Sequence, residues 1–188
     1  MKIGVLAIQG DFAEHIVMLK RLGVETCEVR LPTALNGLNG LIIPGGESTT
    51  IGKLSVDFGL MEPLRTFSQE HAVWGTCAGA IFLSKDARRN QPLLGVMDIT
   101  VVRNAFGRQV DSFEADLTID EVGGEGPYHA VFIRAPIIEA VQSSARVLSR
   151  LPDGRIVAAR QGKLLATSFH PELTRDARFH EFFLTLAK

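Results

Sequence analysis

The chain has 188 residues, of which 46% are hydrophobic and 22% charged. This balance is typical of a globular protein with a buried core, and it excludes a disordered tail, a fibrous repeat and a disulfide-stapled miniprotein. Twenty Lys and Arg against 21 Asp and Glu leave a formal net charge of −1, so no general attraction to nucleic acid or to an anionic membrane is expected. The length fits one domain covering residues 1–188.

The compartment follows from the N-terminus and the cysteines. After Lys2, the apolar run ends at Gln9 and spans six residues, less than the ~7 that the apolar region of a signal peptide needs. No stretch approaches the ~20 apolar residues of a membrane span. Cys27 and Cys77 form no disulfide framework, which favours a reducing compartment. We therefore expect a cytoplasmic location.

The first half of the chain alternates between apolar and amphipathic segments. Short apolar runs typical of buried strands occupy residues 3–8, 24–31, 40–43 and 72–75. Between the first two, Phe12, Ile16 and Leu19 recur at helical spacing until Gly23 ends the helix. Such alternation with all-apolar strands predicts a parallel sheet covered by helices on both faces.

The second half changes character. Between about residues 93 and 168, apolar positions alternate in period two and are joined by turn signals such as Pro152-Asp153-Gly154. These segments predict mixed or antiparallel strands that finish the sheet or form a small side sheet. An apolar stripe at helical spacing predicts a last helix with Thr174 as its N-cap. The stripe comprises Phe179, Phe182, Phe183 and Leu186.

The most informative stretch is Gly75-Thr76-Cys77-Ala78-Gly79, which follows a predicted strand and precedes the apolar run 80–83. This is the context of a strand–turn–helix elbow that exposes a nucleophile. Glycine is needed because a sharp turn crowds backbone against backbone. The turn places the Cys77 thiol at a helix N-terminus, where the dipole favours thiolate. The alternative is a buried core cysteine in a glycine-rich turn.

A late His170-Pro171-Glu172 supplies the partners that a thiol nucleophile needs. Pro171 favours an extended conformation for His170, and residues i and i+2 of an extended segment point to the same side. Glu172 is then placed to orient the imidazole that serves as base. In isolation the three residues fit a solvated turn better than a catalytic site; their combination with Cys77 favours a Cys–His–Glu triad.

A glycine-rich loop, Pro44-Gly45-Gly46-Glu47-Ser48, follows the third predicted strand. Its glycines let backbone N–H groups approach a ligand, as an oxyanion hole requires, and the N–H of Ala78 would be a second donor. A phosphate-binding loop does not fit, because the spacing from Gly46 to Gly52 is one residue too long. A plain tight turn remains the alternative.

Two arginines and four further histidines complete the candidates. Arg103 and Arg134 suit either surface pairing or a carboxylate clamp. The further histidines are His15, His71, His129 and His180. They show no metal-ligand spacing, so we expect no metal site and assign them to the surface or to core positions where their ring nitrogens are hydrogen-bonded. Cys27, in an apolar strand, is expected to be structural.

Together, the Gly-Gly loop, the cysteine elbow and the late His-x-Glu resemble the class I (triad) glutamine amidotransferases. Within them the chain is similar to the glutaminases of pyridoxal 5′-phosphate synthases, chiefly through residues 103–114, Arg-Asn-Ala-Phe-Gly-Arg-Gln-Val-Asp-Ser-Phe-Glu. The resemblance runs in order from residue 3 to residue 173. It implies a flavodoxin-like three-layer α/β fold, with a mostly parallel central sheet and helices on both faces.

The resemblance also implies roles for individual residues. Cys77 would attack the side-chain amide of L-glutamine, His170 would shuttle protons, and Glu172 would orient His170. The N–H groups of Gly46 and Ala78 would hold the oxyanion. The implied glutamine-binding positions are Gly46, Glu47, Ser48, Arg103, Ile133 and Arg134. No cofactor and no metal are implied.

The implied partner is a synthase subunit in a large hetero-oligomer, which would use the released ammonia to build pyridoxal 5′-phosphate. Two alternatives stay open. One is an amidotransferase of another pathway, such as histidine biosynthesis. The other is a non-catalytic or stress-response module with a reactive elbow cysteine, which would have no use for His170 and Glu172.

Overall fold

The computed structural model describes residues 1–103 and 112–188. The helices of these stretches are α1 (Phe12–Arg21), α2 (Ser48–Asp57), α3 (Met61–Glu70), α4 (Ala78–Leu83) and α5 (Arg178–Leu186). The strands are β1 (Lys2–Leu6), β2 (Glu25–Val29), β3 (Gly40–Ile43), β4 (Ala72–Thr76), β5 (Ser84–Asp86), β6 (Met97–Val102), β7 (Ser112–Leu117), β8 (Tyr128–Ile133), β9 (Ile137–Val141), β10 (Arg146–Arg150), β11 (Ile156–Gln161) and β12 (Leu164–Thr167). Most of the block 103–114 lies outside the described residues.

One large sheet organises the fold, with strand order β2-β1-β3-β4-β12-β11-β9-β6-β5 and β10 on the side of β11. From β2 to β12 neighbouring strands are parallel, whereas β12, β11, β9 and β6 pair antiparallel in succession. Strands β7 and β8 form a separate antiparallel pair. Both outcomes expected for the second half therefore occur, because its segments finish the sheet and also build a side sheet.

Helices cover both faces of the sheet, as expected from the apolar strands. Val73 of β4 packs in one buried cluster together with residues of α2, α3 and α4. Its neighbour Trp74 packs in a second cluster, with residues of α1, α5 and the small sheet. Successive strand residues point to opposite faces, so an all-apolar strand serves both clusters. The α/β fold is confirmed.

Strand register brings the candidate segments to one edge. Ile43 at the end of β3 is level with Gly75 of β4, and Thr167 at the end of β12 is level with Thr76. The carboxyl ends of parallel strands are where open α/β sheets hold their ligands. The loop after β3, the elbow after β4 and the segment after β12 therefore meet.

The described helices differ from the sequence expectation at one cap. Helix α5 begins at Arg178 with Ala177 as its N-cap residue, so the assignment of Thr174 as cap is wrong. Thr174 instead follows the short 3₁₀ turn Pro171–Leu173, and its hydroxyl donates to the carbonyl of Pro171 at 3.3 Å. The carboxylate of Asp176 accepts from the N–H of Arg178 at 3.1 Å and so satisfies one donor of the first turn of α5. Among the described helices, none combines the length and apolar character required to cross a bilayer.

Candidate active site

Cys77 occupies a strained turn between β4 and α4, with φ 48° and ψ −106°. The two flanking glycines make this turn sterically feasible. A Cβ on Gly79 would lie 2.0 Å from the carbonyl oxygen of Ile43, and one on Gly75 would lie 2.4 Å from the carbonyl oxygen of Gly79. Strain of this kind persists only where the surrounding structure holds it. Here the N–H of Cys77 is tied to the carbonyl of Thr167 at 2.8 Å.

The Cys77 side chain is at the floor of a cavity rather than in sealed core. The residue is 7% exposed. Its thiol points toward the carbonyl oxygen of Ile133, with Sγ and O separated by 4.0 Å. The thiol is thus reachable and free of any disulfide.

His170 and Glu172 form a short buried hydrogen bond, with Nδ1 and Oε1 separated by 2.6 Å. The predicted pairing is present, but the backbone explanation for it is wrong. His170 itself is near extended, with φ −105° and ψ 86°, whereas Glu172 lies in the 3₁₀ turn Pro171–Leu173. Proline suits the first position of a helical turn, where its missing N–H costs nothing. The turn, not an extended strand, folds the carboxylate back onto the imidazole.

The electrostatics of this pair favour a charged imidazole. Burial alone would lower the pKa of His170, but interactions with Cys77 and Glu172 outweigh it and raise the pKa to about 10. Burial raises the pKa of Glu172, and the hydrogen bond from His170 opposes that rise. Nε2 of His170 is buried and makes no well-formed hydrogen bond to the described residues. That nitrogen remains available for a proton from the thiol.

The predicted site residues line one cavity of about 260 Å³. All of them except Glu172, which lies behind His170, are on its wall. The wall comprises Asp11, Gly46, Glu47, Ser48, Cys77, Ala78, Ile81, Arg103, Ile133, Arg134, Pro136 and His170. Asp11, Ile81 and Pro136 were not expected, because a turn residue and two apolar residues carry no chemical signal in the sequence.

The glycine-rich loop is held by the segment after β1. Gly46 has φ 151°, and a Cβ there would lie 2.3 Å from Oε1 of Gln9. The same oxygen accepts the N–H of Glu47 at 2.8 Å. The N–H of Asp11 donates to the carbonyl of Gly45 at 3.1 Å. Gln9 is a contact that sequence reasoning missed, since it followed a strand without a recognisable role.

Arg103 and Glu47 form a two-pronged ion pair at the cavity mouth. The guanidinium nitrogens donate to the two carboxylate oxygens at 2.6 and 2.7 Å. Hydrogen bonding from Arg103 lowers the pKa of Glu47 despite some burial. Of surface pairing and a carboxylate clamp, the two roles left open for Arg103, the geometry supports pairing within the protein, because two nitrogens of its guanidinium are engaged by Glu47.

Two more predicted residues, Ile133 at the end of β8 and Arg134 directly after it, lie on the same wall. Ile133 is 40% exposed, which is unusual for a large apolar side chain. Arg134 has φ 44°, in the left-handed region that side chains disfavour. Ser48 is buried on the opposite side, and its Oγ accepts from Gln91 at 3.3 Å.

One group of described residues brings three potential metal-ligand atoms within 4.8 Å of one another, namely Asp11, His170 and Glu172. Nδ1 of His170 is already hydrogen-bonded to Glu172 within this group. We therefore interpret the cluster as part of the His–Glu pair, and the expectation of no metal site stays a prediction.

A cysteine at a strand–helix elbow, a His–Glu pair beside it and a glycine-rich loop facing it are the groups expected of a thiol-dependent glutamine amidotransferase. The α/β sheet with helices on both faces is the fold of that class. A family model agrees over residues 5–187, and the chain belongs to the SNO glutamine amidotransferase family. The expected class of enzyme is confirmed.

Relatives match over the full length. The chain is 61% identical to "Pyridoxal 5′-phosphate synthase subunit PdxT" of Herpetosiphon aurantiacus, covering 99% of this chain and 100% of the relative. It is 57% identical to the protein of the same name from Moorella thermoacetica, covering 99% of each. A solved structure titled "Crystal structure of glutamine amidotransferase" superposes with a TM-score of 0.92 at 53% identity, covering 98% of each chain.

Proposed function

We propose that this chain is the glutaminase subunit of a pyridoxal 5′-phosphate synthase. It hydrolyses L-glutamine to L-glutamate and ammonia, and it delivers the ammonia to a synthase subunit. The observation that carries the proposal is the convergence of Cys77, His170 and the glycine-rich loop on one cavity, with Glu172 behind His170. The names of the full-length relatives support the pathway.

The chemistry begins with the thiol. Cys77 gives its proton to Nε2 of His170, and Sγ attacks the side-chain carbonyl carbon of glutamine. The raised pKa of His170 favours this transfer. Glu172 holds Nδ1–H, which fixes the tautomer that receives the proton on Nε2.

The tetrahedral intermediate then collapses. His170 returns its proton to the amide nitrogen, the C–N bond breaks, and ammonia leaves a γ-glutamyl thioester on Cys77. Water attacks the thioester while His170 takes a proton from it. The C–S bond then breaks, His170 passes that proton to Sγ to restore the thiol, and glutamate is released. The N–H groups of Gly46 and Ala78 stabilise the oxyanion in both halves.

The cavity wall selects the substrate. We assign Glu47, Ser48, Ile133 and Arg134, together with Gly46, to binding of glutamine. Arg103 supports this set by holding the Glu47 carboxylate in one orientation.

The partner is a synthase subunit in a large hetero-oligomer, and docking switches the glutaminase on. Ammonia released without an acceptor is lost to water, so coupling prevents waste of glutamine. The loop around Gly46 suits such a switch, since its glycine peptides can reorient at little steric cost. We place the complex in the cytoplasm, which agrees with two free cysteines, and we treat residues 1–188 as one functional unit.

The alternative of a reactive-cysteine module without catalysis is disfavoured by the buried contact of 2.6 Å between His170 and Glu172. Such a module needs no base for its thiol.

The test is glutamate release from glutamine, with and without the synthase subunit. Cys77→Ala is expected to abolish glutamate release. Cys27→Ala removes the other thiol and is the matched control, so it is expected to release glutamate at the wild-type rate. Ammonium salt is expected to restore product formation by the complex that contains Cys77→Ala. Glutamate release by Cys77→Ala at the wild-type rate would overturn the assignment.

A further inference from the structure

Two buried histidines lie behind the His–Glu pair. His15 of α1 and His180 of α5 are both fully buried. Nε2 of His15 lies 3.3 Å from Oε2 of Glu172, and Nδ1 of His15 lies 3.0 Å from Nε2 of His180. The proposed chemistry uses Oε1 of Glu172 and leaves this second oxygen without an assigned role.

The positions of the protons follow from the acceptors. Oε1 of Glu172 accepts from His170, so Oε2 is the other buried oxygen of an ionised carboxylate, and it can only accept. A hydrogen bond from His15 to this oxygen requires the proton of the neutral ring to lie on Nε2. Nδ1 of His15 is left as an acceptor and takes the Nε2–H of His180, whose buried Nδ1 has no hydrogen-bond partner among the described residues.

A rival arrangement has the opposite tautomers. The hydroxyl of Thr76 lies 3.3 Å from Nε2 of His15 and would donate to it, while Nδ1–H of His15 would donate to His180. Oε2 of Glu172 would then face a lone pair and receive no hydrogen bond from His15. Leaving a buried charged oxygen unpaired is costly, which favours the first arrangement.

Both histidines are neutral in this environment. Burial, together with the neighbouring His180 and His170, holds the pKa of His15 well below its usual value. Burial lowers the pKa of His180 to about 3. A neutral imidazole adds an oriented N–H without adding a second positive charge that would compete with His170 for Glu172.

Packing fixes the ring of His15. It lies edge-on to Trp74 with ring centroids 5.8 Å apart, and Trp74 also lies edge-on to His180 at 5.0 Å. The indole N–H of Trp74 is itself held by Thr167 at 3.1 Å. Trp74 and Thr76 belong to β4, which ends at Cys77, so His15 contacts the nucleophile's strand as well as the carboxylate.

We propose that His15 is a positioning residue for the reaction: its Nε2–H holds Oε2 of Glu172, and His180 fixes its tautomer. The inference rests on the proposed glutaminase function. Oε2 of Glu172 makes no well-formed hydrogen bond to the described residues, and its separation of 3.3 Å from Nε2 of His15 is long for one. Hydrogen bonds of catalytic groups are often long or poorly aligned before substrate binds and tighten afterwards, and we infer that this contact does so.

The first test needs no variant. Nitrogen-15 NMR of the wild-type chain distinguishes the tautomers of a neutral histidine. The expected result is the Nε2–H form for His15 and for His180. An Nδ1–H form or a charged ring at His15 at neutral pH would overturn the proposal, whatever the activity.

The second test uses two side chains of equal length. His15→Gln keeps an N–H donor near the Nε2 position, and His15→Met removes it. In the presence of saturating synthase subunit, His15→Met is expected to lose roughly 10- to 100-fold in kcat, the scale seen when a residue that orients a metal-bound histidine is removed. KM is expected to change little, and His15→Gln to recover most of the loss. His71→Met, at a histidine that stacks on Phe67 away from the cavity, is the control and is expected to be unchanged.

The outcomes separate the two proposals. A wild-type chain that releases no glutamate contradicts the proposed function. If the wild type is active, two results contradict the role of His15. One is a His15→Met variant as active as the wild type, and the other is a folded His15→Gln variant with a kcat as low as that of His15→Met. If His15→Met does not fold, the comparison of His15→Gln with wild type and the tautomer measurement still decide.

Discussion

The carboxylate of Glu47 and the guanidinium of Arg103 form a bidentate ion pair, in which each oxygen accepts from a separate nitrogen, at 2.6 and 2.7 Å. They are 56 residues apart in the chain and meet at the mouth of the cavity. The pair links the start of α2 to the end of β6. It therefore couples the shape of the glycine-rich loop to the far wall of the pocket.

Arg103→Lys is expected to weaken glutamine binding, because an ammonium group cannot make the two-pronged contact. The Glu47 side chain is 40% exposed, so solvent screening limits the effect to about 1 kcal/mol. That corresponds to roughly a fivefold rise in KM. Arg30→Lys, at an exposed arginine that contacts Glu28 through two nitrogens, is the matched control. Steady-state kinetics of both variants check the prediction, and equal KM values would contradict it.

Glu172→Gln is expected to shift the pH dependence of glutamine hydrolysis. The folded pKa of His170, about 10, lies above the ordinary histidine value of 6.5. The stabilisation that its charged imidazole gives the folded protein is therefore complete below pH 6.5 and is lost as the pH rises through about 10. Without the carboxylate the pKa falls, and the alkaline limb of kcat/KM moves to lower pH. Asp116→Asn removes a carboxylate from another histidine pair and controls for charge. An alkaline limb that stays in place in Glu172→Gln is the contrary result.

Gly46→Ala is expected to lose turnover by roughly 10²- to 10³-fold, the usual effect of removing one oxyanion donor. The added Cβ would meet Oε1 of Gln9 at 2.3 Å and displace the loop. Gly162→Ala is the control, since Gly162 also has a positive φ, 57°, but has nothing within 4 Å of the new Cβ. Both variants carry backbone strain of about 1–2 kcal/mol. Gly46→Ala adds the clash with Gln9, so the unfolding temperature is expected to fall in both variants and further in Gly46→Ala, and only Gly46→Ala to lose activity.

Titration of the synthase subunit into a fixed amount of the chain is expected to raise glutamate release until the sites are filled. The physical reason is reorientation of the glycine peptides at Gly46, which restores an oxyanion donor. A preparation of Gly46→Ala, taken through the same titration, is expected to show no rise. A wild-type rate that is maximal without partner would refute the switch.

The sequence predicted those features that local patterns control. Apolar runs located β1, β3 and β4, and the glycines around Cys77 predicted the elbow because only Gly fits against the backbone of Ile43 and Gly79. Strand ends were less certain: residues 7 and 8 were expected in the first strand, which ends at Leu6. Ala7 donates instead to the carbonyl of Val29 as the chain leaves the sheet.

Contacts between segments that are far apart in the chain could not be predicted from the sequence. His15 and His180 are 165 residues apart and neither belongs to a recognisable motif, so their contact was not foreseen. The Glu47–Arg103 pair was foreseen only as two separate candidates. The sequence predicted the contact of Glu172 with His170, but it predicted the wrong backbone conformation for Glu172. Pro171 is compatible both with an extended segment and with the first position of a 3₁₀ turn, so the residue types do not distinguish the two.

Trp74 is the only tryptophan in the chain, and it is fully buried between the strand of the nucleophile and the two hidden histidines. All indole fluorescence of the protein therefore comes from the back wall of the site. Its emission is expected to change on unfolding or on substitution of His15, and it can be measured in the natural protein without an added label. Trp74 is therefore an intrinsic fluorescent probe of the active site.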